Sequence, residues 1–324
     1  MNAASARQWP PALGRAFDRI RVTQAAAADA DAAEEALTEA LRPVVDSKWP
    51  DVAWRFGVLT ATGYPVEMAW ASRDVALRWT CEVAGPEVPE ADRLRLAQQA
   101  AAATAGSRLD LRRWSKVQDG QRLRWGAWLG LRQLDGSRRA KVYLELPSEP
   151  LDEGAPEPWA HAGLQLASRV LGLTWRMAGV NDDGSVELYA RIPELSWSEL
   201  AAAASLVGHE DRLVSLVGNL ITRDQLGRRV VLPRPSGLSL VLAPWGTPMA
   251  FTWFAVAKSV WADDEDVRAA VLRTTDLVVC RSDSTGLYQA LSSGPDDGRW
   301  RHGMVGVGVD RAGGTWLQAG LRPT

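Results

Sequence analysis

A chain of 324 residues with 46% hydrophobic and 23% charged residues has the composition of an ordered globular protein, and one closed α/β barrel can absorb that length. The 37 basic and 39 acidic residues leave a formal net charge of -2 and no overall field, which argues against nucleic acid or anionic lipid as a partner. The first residues lack the basic start and apolar core of a secretion signal, and no apolar run reaches the length of a membrane span, so the protein is expected in the cytoplasm.

In chain order, residues 1–48 are rich in Ala, Arg and Glu, and from Ala32 to Val45 apolar residues recur at helical spacing, which predicts an opening helical section. After Trp54 the period shortens to that of strands. Gly63 to Trp70 and Val75 to Val83, joined by Ser72-Arg73-Asp74, predict a first hairpin. A helix from about Glu90 to Ala105 precedes a second hairpin, Arg122 to Arg132 and Ala140 to Leu146, turning at Asp135-Gly136-Ser137. A helix over Pro158 to Leu171 leads to a third, Leu173 to Val180 and Ser185 to Ile192, around the turn Asn181-Asp182-Asp183-Gly184. Helices over Ser198 to Leu206 and Asp211 to Ile221 precede a fourth, Leu238 to Ala243 and Met249 to Lys258. After a helix over Asp263 to Leu272, Gly303 to Val309 and Thr315 to Leu321 form the last.

Hairpins repeating between helices can close into one ring of ten strands, with no free edges and the outer face covered by the helices. The alternative is two α+β sheets in separate domains. The absence of a linker favours a single α/β domain over residues 1–324, a barrel of five αββα-type repeats. Cys81 and Cys280, the only cysteines, each lie in an apolar strand-like run and read as small buried hydrophobes. The 16 tryptophans, beside 4 Tyr and 4 Phe, suggest large apolar aromatic surfaces, most of them core filling.

The segment Gly63-Tyr64-Pro65-Val66-Glu67, followed by Arg78-Trp79-Thr80-Cys81-Glu82, resembles the first hairpin of the dimethylallyltryptophan synthase family of aromatic prenyltransferases, whose fold is the PT barrel. Lys141-Val142-Tyr143, ending at Pro147, resembles its second. The resemblance implies that Glu67 hydrogen-bonds an indole nitrogen and helps remove a proton, while Arg78, Lys141 and Tyr143 hold a prenyl diphosphate; Tyr189 and, as a recruit, Arg191 on the third hairpin are added as candidate diphosphate ligands. It further implies transfer of a dimethylallyl or longer prenyl group to an indole or other aromatic acceptor in secondary metabolism. Prenyl diphosphate is then a co-substrate, and neither a metal nor another cofactor is required. The chemistry is coherent: ionising an allylic diphosphate creates an anion that needs fixed cationic donors and a cation that needs a dry aromatic wall.

Strand alternation puts Lys141, Tyr143 and Glu145 on one face, and Glu187, Tyr189 and Arg191 on one face. Those faces line the lumen, or else they form an outward charged surface with Val142 and Leu144 buried beneath. Glu67 and Arg78 are expected to face the lumen near one end of the barrel. Several positions depart from the family pattern. Ser185 and Glu187 precede Tyr189 where the family alternates Arg and Lys, Thr252 and Phe254 stand at a polar pair, and Trp316 replaces a phenol. Arg191, Arg176, Arg124 or Lys258 could restore the missing charge. Alternatively, Glu187 opposite Lys141 forms an internal ion pair, and the barrel serves another aromatic metabolite or only binds a small molecule.

The remaining motifs are weak. Asp263-Asp264-Glu265-Asp266 lacks the spacing of magnesium-binding carboxylates and reads as a helix cap, and His161, His209 and His302 are far apart in sequence. No phosphate-binding glycine loop follows a strand.

Overall fold

The structure is a computed structural model that describes residues 10–24, 26–147, 172–222, 231–278, 280–295 and 298–324. The helix expected over Pro158 to Leu171, and with it His161, lies outside the described residues. Helices α1 (Pro11–Arg21), α2 (Ala27–Val45) and the single turn α3 (Pro50–Ala53) open the chain. The first hairpin is β1 (Val66–Ala71) and β2 (Leu77–Glu82). Helices α4 (Glu90–Ala105) and α5 (Arg112–Gln118) lead to β3 (Ala127–Leu134) and β4 (Ser137–Glu145). The third hairpin is β5 (Trp175–Asn181) and β6 (Val186–Ile192). Helices α6 (Trp197–Ala204) and α7 (Glu210–Ile221) precede β7 (Ser236–Leu242) and β8 (Pro248–Val256). Helices α8 (Asp264–Thr275) and α9 (Ser282–Ser292) precede β9 (His302–Asp310) and β10 (Thr315–Leu321).

The ten strands form a closed antiparallel barrel in which each pairs with its sequence neighbour and β1 pairs with β10. Two sheets in separate domains are thereby ruled out. Period-two alternation divides every strand between two environments. Val142 and Leu144 point outward, fully buried against helices, while Lys141 and Tyr143 between them face the lumen and are only partly buried. Lys141 and Tyr143 therefore do not form an outward charged surface, since the outward face of this strand is apolar and covered by helices. The outward set includes Trp70, Trp79 and Trp253, each at most 1% exposed, and joins the helical faces of Leu13, Phe17, Leu37, Leu41, Leu213 and Leu220 in one core. Each such large side chain contributes roughly 1.5–3 kcal/mol by leaving water, so the wall between sheet and helices, not the centre of the ring, carries the stability.

Buried carboxylates secure the chain where it enters the barrel. Glu145, at the end of β4, turns to accept the backbone N–H groups of Arg124, Trp125 and Gly126 at 2.8, 2.8 and 3.0 Å. Glu82, at the end of β2, accepts from Val58 and Leu59 at 2.5 and 3.1 Å. Asp263 caps α8 through the Asp266 N–H at 2.8 Å, as expected of that acidic run. Asp264 has a different task, accepting from the backbone N–H groups of Arg301 and His302 and bonding the His302 Nδ1 at 2.6 Å.

The structure departs from the sequence expectations in two local respects. Cys280 is not in a strand but half-buried in the connection before α9, because the ring is already complete and offers an extra strand no partner. The short helices α5 and α9 carry weak apolar periodicity and had not been anticipated. No helix among the described residues is long and apolar enough to cross a membrane.

Candidate active site

The register assembles the lumen strand by strand. Glu67 on β1 pairs with Thr80 on β2, and Arg78 pairs with Ala69. Arg78 and Glu67 thus share the lumenal face but not one end of the barrel, since Arg78 lies a diagonal step toward the hairpin turn. Continuing around the ring, Trp128 pairs with Tyr143, Tyr143 with Gly179, Gly179 with Glu187, and Tyr189 with Ser239. Trp128 stacks on Trp125 with centroids 3.8 Å apart, adding an indole wall beside Tyr143.

The larger lumenal side chains lie across glycines of neighbouring strands. A Cβ on Gly179 would sit 2.2 Å from the Lys141 Cε, one on Gly237 would sit 1.9 Å from the Phe254 ring, and one on Gly308 would sit 2.1 Å from the Trp316 ring. Glu67 is treated likewise, because a Cβ on Gly320 or Gly303 would come within 2.4 or 2.7 Å of its carboxylate oxygens. These glycines therefore fix where the functional side chains rest. Among the described residues no donor hydrogen-bonds the Glu67 carboxylate, and burial without compensation pushes its pKa up to about 7. It is poised to take or give a proton near neutrality.

The cations of the site are held by carboxylates. Arg78 donates to the Asp74 Oδ2 at 2.6 Å and to the Ala76 carbonyl at 3.1 Å, while Arg132 reaches the same Asp74 oxygen at 3.2 Å. Burial acts to raise the Asp74 pKa, but Arg78, the Ala76 N–H and Arg132 overcome it and hold it at about 2. Two guanidinium groups thus share one anion, leaving a net positive charge at the turn end of β2 and β3.

Lys141 bonds Glu187 and donates to the Tyr189 hydroxyl at 2.9 Å, with its ammonium 4.9 Å from the Tyr143 ring centroid and 5.4 Å from that of Tyr189. Ser239 donates to the other Glu187 oxygen at 2.5 Å. Burial would raise the Glu187 pKa, but Lys141, Ser239 and Tyr189 more than offset it and hold the group ionised, while Tyr189 is raised by burial and by Glu187. The internal ion pair allowed by the sequence is therefore present. Arg191 lies on the lumenal face of β6, paired with Gly237 and exposed at the far end of the strand. Arg124, Arg176 and Lys258 are exposed and do not complete a cationic ring.

The opposite wall is apolar. Trp316 packs with Ala71, Ala250 and Val241 inside the ring, and the Arg73 guanidinium covers it at 4.5 Å. Phe254 meets Tyr189 edge-on at 6.4 Å. The sequence alone singled out Glu67, Arg78, Lys141, Tyr143 and Tyr189, all of which line the lumen. It missed Asp74, Arg132 and Ser239, although an acid four residues before Arg78 and a serine in an apolar strand were the available signals.

The sequence matches no family model and no curated protein. Solved structures resemble it over nearly their full length. 5-Dimethylallyl tryptophan synthase from Streptomyces coelicolor, in complex with DMASPP and Trp, aligns with a TM-score of 0.73 at 17% identity, over 96% of this chain and 94% of that one. 6-Dimethylallyltryptophan synthase from Micromonospora olivasterospora, in complex with DMASPP and Trp, gives 0.66 at 20% identity, over 96% and 95%. AnaPT from Neosartorya fischeri gives 0.67 at 14% identity, over 97% and 92%. At such identities the likeness concerns architecture, and on it the chain has the PT-barrel fold of the aromatic prenyltransferases.

Proposed function

We propose that the protein transfers a dimethylallyl or longer prenyl group from its diphosphate to an indole or other electron-rich aromatic acceptor, in the cytoplasm and as part of secondary metabolism. The observation that carries this reading is Glu67, a lumenal carboxylate with no donor among the described residues and a pKa of about 7. In the reaction the allylic C–O bond breaks with its electron pair leaving on the diphosphate. The aromatic carbon then attacks the cation, and the ring loses a proton. Glu67 would accept the acceptor N–H, enriching the ring as the cation approaches, an interaction that strengthens in the transition state. Arg78, Lys141, Tyr143 and Tyr189 would bind the diphosphate, with Arg191 drawing it in from the mouth, so that no metal or cofactor is needed. That two similar structures are complexes with DMASPP and Trp supports this choice of substrates.

The test is turnover with dimethylallyl diphosphate and a panel of indoles, with and without excess chelator. Activity is expected in both conditions, and Glu67→Gln should lower kcat by about 10²–10⁴-fold while changing acceptor affinity less. A folded Glu67→Gln variant turning over at the wild-type rate would remove the catalytic assignment.

A second reading rests on the Lys141–Glu187 pair. A lumen whose central cation is already neutralised suits an aromatic metabolite used without prenyl diphosphate, or plain binding of a small molecule. Indole binding without any turnover or donor binding by the wild type would favour it.

A further inference from the structure

Accepting the lumen as the anion site proposed above, we infer that Glu187 occupies the position of a ligand's anionic oxygens, so that it sets the affinity and selectivity of the lumen for diphosphate. Lys141 sits where three strands converge. Its stem crosses Gly179, its ammonium bonds Glu187 and Tyr189, and the rings of Tyr143 and Tyr189 stand on either side. The far oxygen of Glu187 is held by Ser239. A carboxylate oxygen bonded to a lysine, backed by a phenol and a hydroxyl, has the donors that a phosphoryl oxygen would use.

The second cationic group is arranged differently. Asp74 sits in the hairpin turn and serves Arg78 and Arg132 together, so an incoming anion can still meet excess positive charge there. At Lys141 one cation faces one carboxylate and no excess remains. An anion arriving at Lys141 must displace Glu187 or lie against it, and like charges in a partly buried lumen repel strongly. The lumen would therefore grip one end of a diphosphate at Arg78 and Arg132 and resist the other at Glu187.

The experiment is calorimetric binding of inorganic pyrophosphate and of dimethylallyl thiolodiphosphate to the wild type, Glu187→Gln, Glu187→Ala and the double variant Glu187→Gln/Lys141→Met, with thermal unfolding as a control for folding. Glu187→Gln keeps an acceptor for Ser239 while removing the charge, and Glu187→Ala removes both. Affinity for both probes is expected to rise at least tenfold in each single variant and to fall back in the double variant. A rise for the thiolodiphosphate alone would assign the gain to the prenyl pocket and overturn the inference. Wild-type binding that either folded single variant leaves unchanged or weaker would overturn it too, while leaving the prenyltransferase reading intact. Binding by the variants with none by the wild type would uphold the inference and remove prenyl diphosphate as this chain's own donor. Absence of binding in every protein would overturn both.

Discussion

The two faces of the barrel wall obey opposite rules, and adjacent residues show it. On β8, Trp253 points outward, 0% exposed, with its indole N–H donated to the Ser236 hydroxyl at 3.1 Å. Phe254, its neighbour, points inward, partly buried, lying across Gly237 and beside Tyr189. The outer face is packed for stability in the ordinary manner of a core. The inner face keeps a carboxylate without a donor among the described residues, partly buried aromatics and glycines, features that cost stability and suit a binding surface.

The largest expected effect separates those faces directly. Trp253→Ala should destabilise the protein by about 3–5 kcal/mol through the cavity it leaves. Phe254→Ala should cost less, roughly 1 kcal/mol, since that side chain is only partly buried. Chemical denaturation of the two variants would measure both, and equal losses would mean that the lumen is packed like the core.

Glu67 sharpens the comparison through pH. Its native pKa of about 7 exceeds the ordinary value of 4.5, so between those limits the folded state holds a proton that the unfolded state has released. Stability contributed by the protonated group is complete below pH 4.5 and is lost as pH rises through 7, a penalty of about 3 kcal/mol above that point. Glu67→Gln escapes it. The variant should gain on the wild type by up to about 3 kcal/mol between pH 4 and pH 8, read from unfolding midpoints. A pH-independent difference would show that the carboxylate is solvated.

A smaller effect tests the glycines. Gly179→Ala puts a methyl group against the Lys141 stem, which can shift only by loosening the Glu187 and Tyr189 bonds. Stability should fall by about 1–3 kcal/mol, read from chemical denaturation. A silent substitution would mean that Lys141 rests elsewhere.

The legible part of the protein was what alternation and turn chemistry control. The Asn181-Asp182-Asp183-Gly184 turn lies where it was expected, with Gly184 at a φ of 81°, and period two sorted Lys141 from Val142. The likeness of the first two hairpins to a known family brought Glu67 and Arg78 into view, and their shared face followed from period two. Contacts formed by chain closure were not legible. The sharing of Asp74 by Arg78 and Arg132 depends on the β2–β3 register, and the Ser239 bond to Glu187 depends on β6 and β7 lying side by side. Helix α9 escaped notice because its apolar positions are sparse.

Ring closure also bears on how the chain acquires its shape. Met68 on β1 pairs with Leu321 on β10, residues from opposite ends of the sequence, and the Arg19 side chain reinforces the same seam by donating to the Ala290 carbonyl at 3.0 Å and the Thr324 hydroxyl at 3.3 Å. The hairpins are local and can form early, but the seam is the strand pairing most distant in sequence among the described residues and therefore among the slowest to find. During synthesis β1 must wait, its edge unpaired, until β10 has left the ribosome. Until then β1 and the most recently formed strand present open edges to other chains. The architecture that abolishes edges in the finished protein thus concentrates its aggregation risk in the final moments of folding.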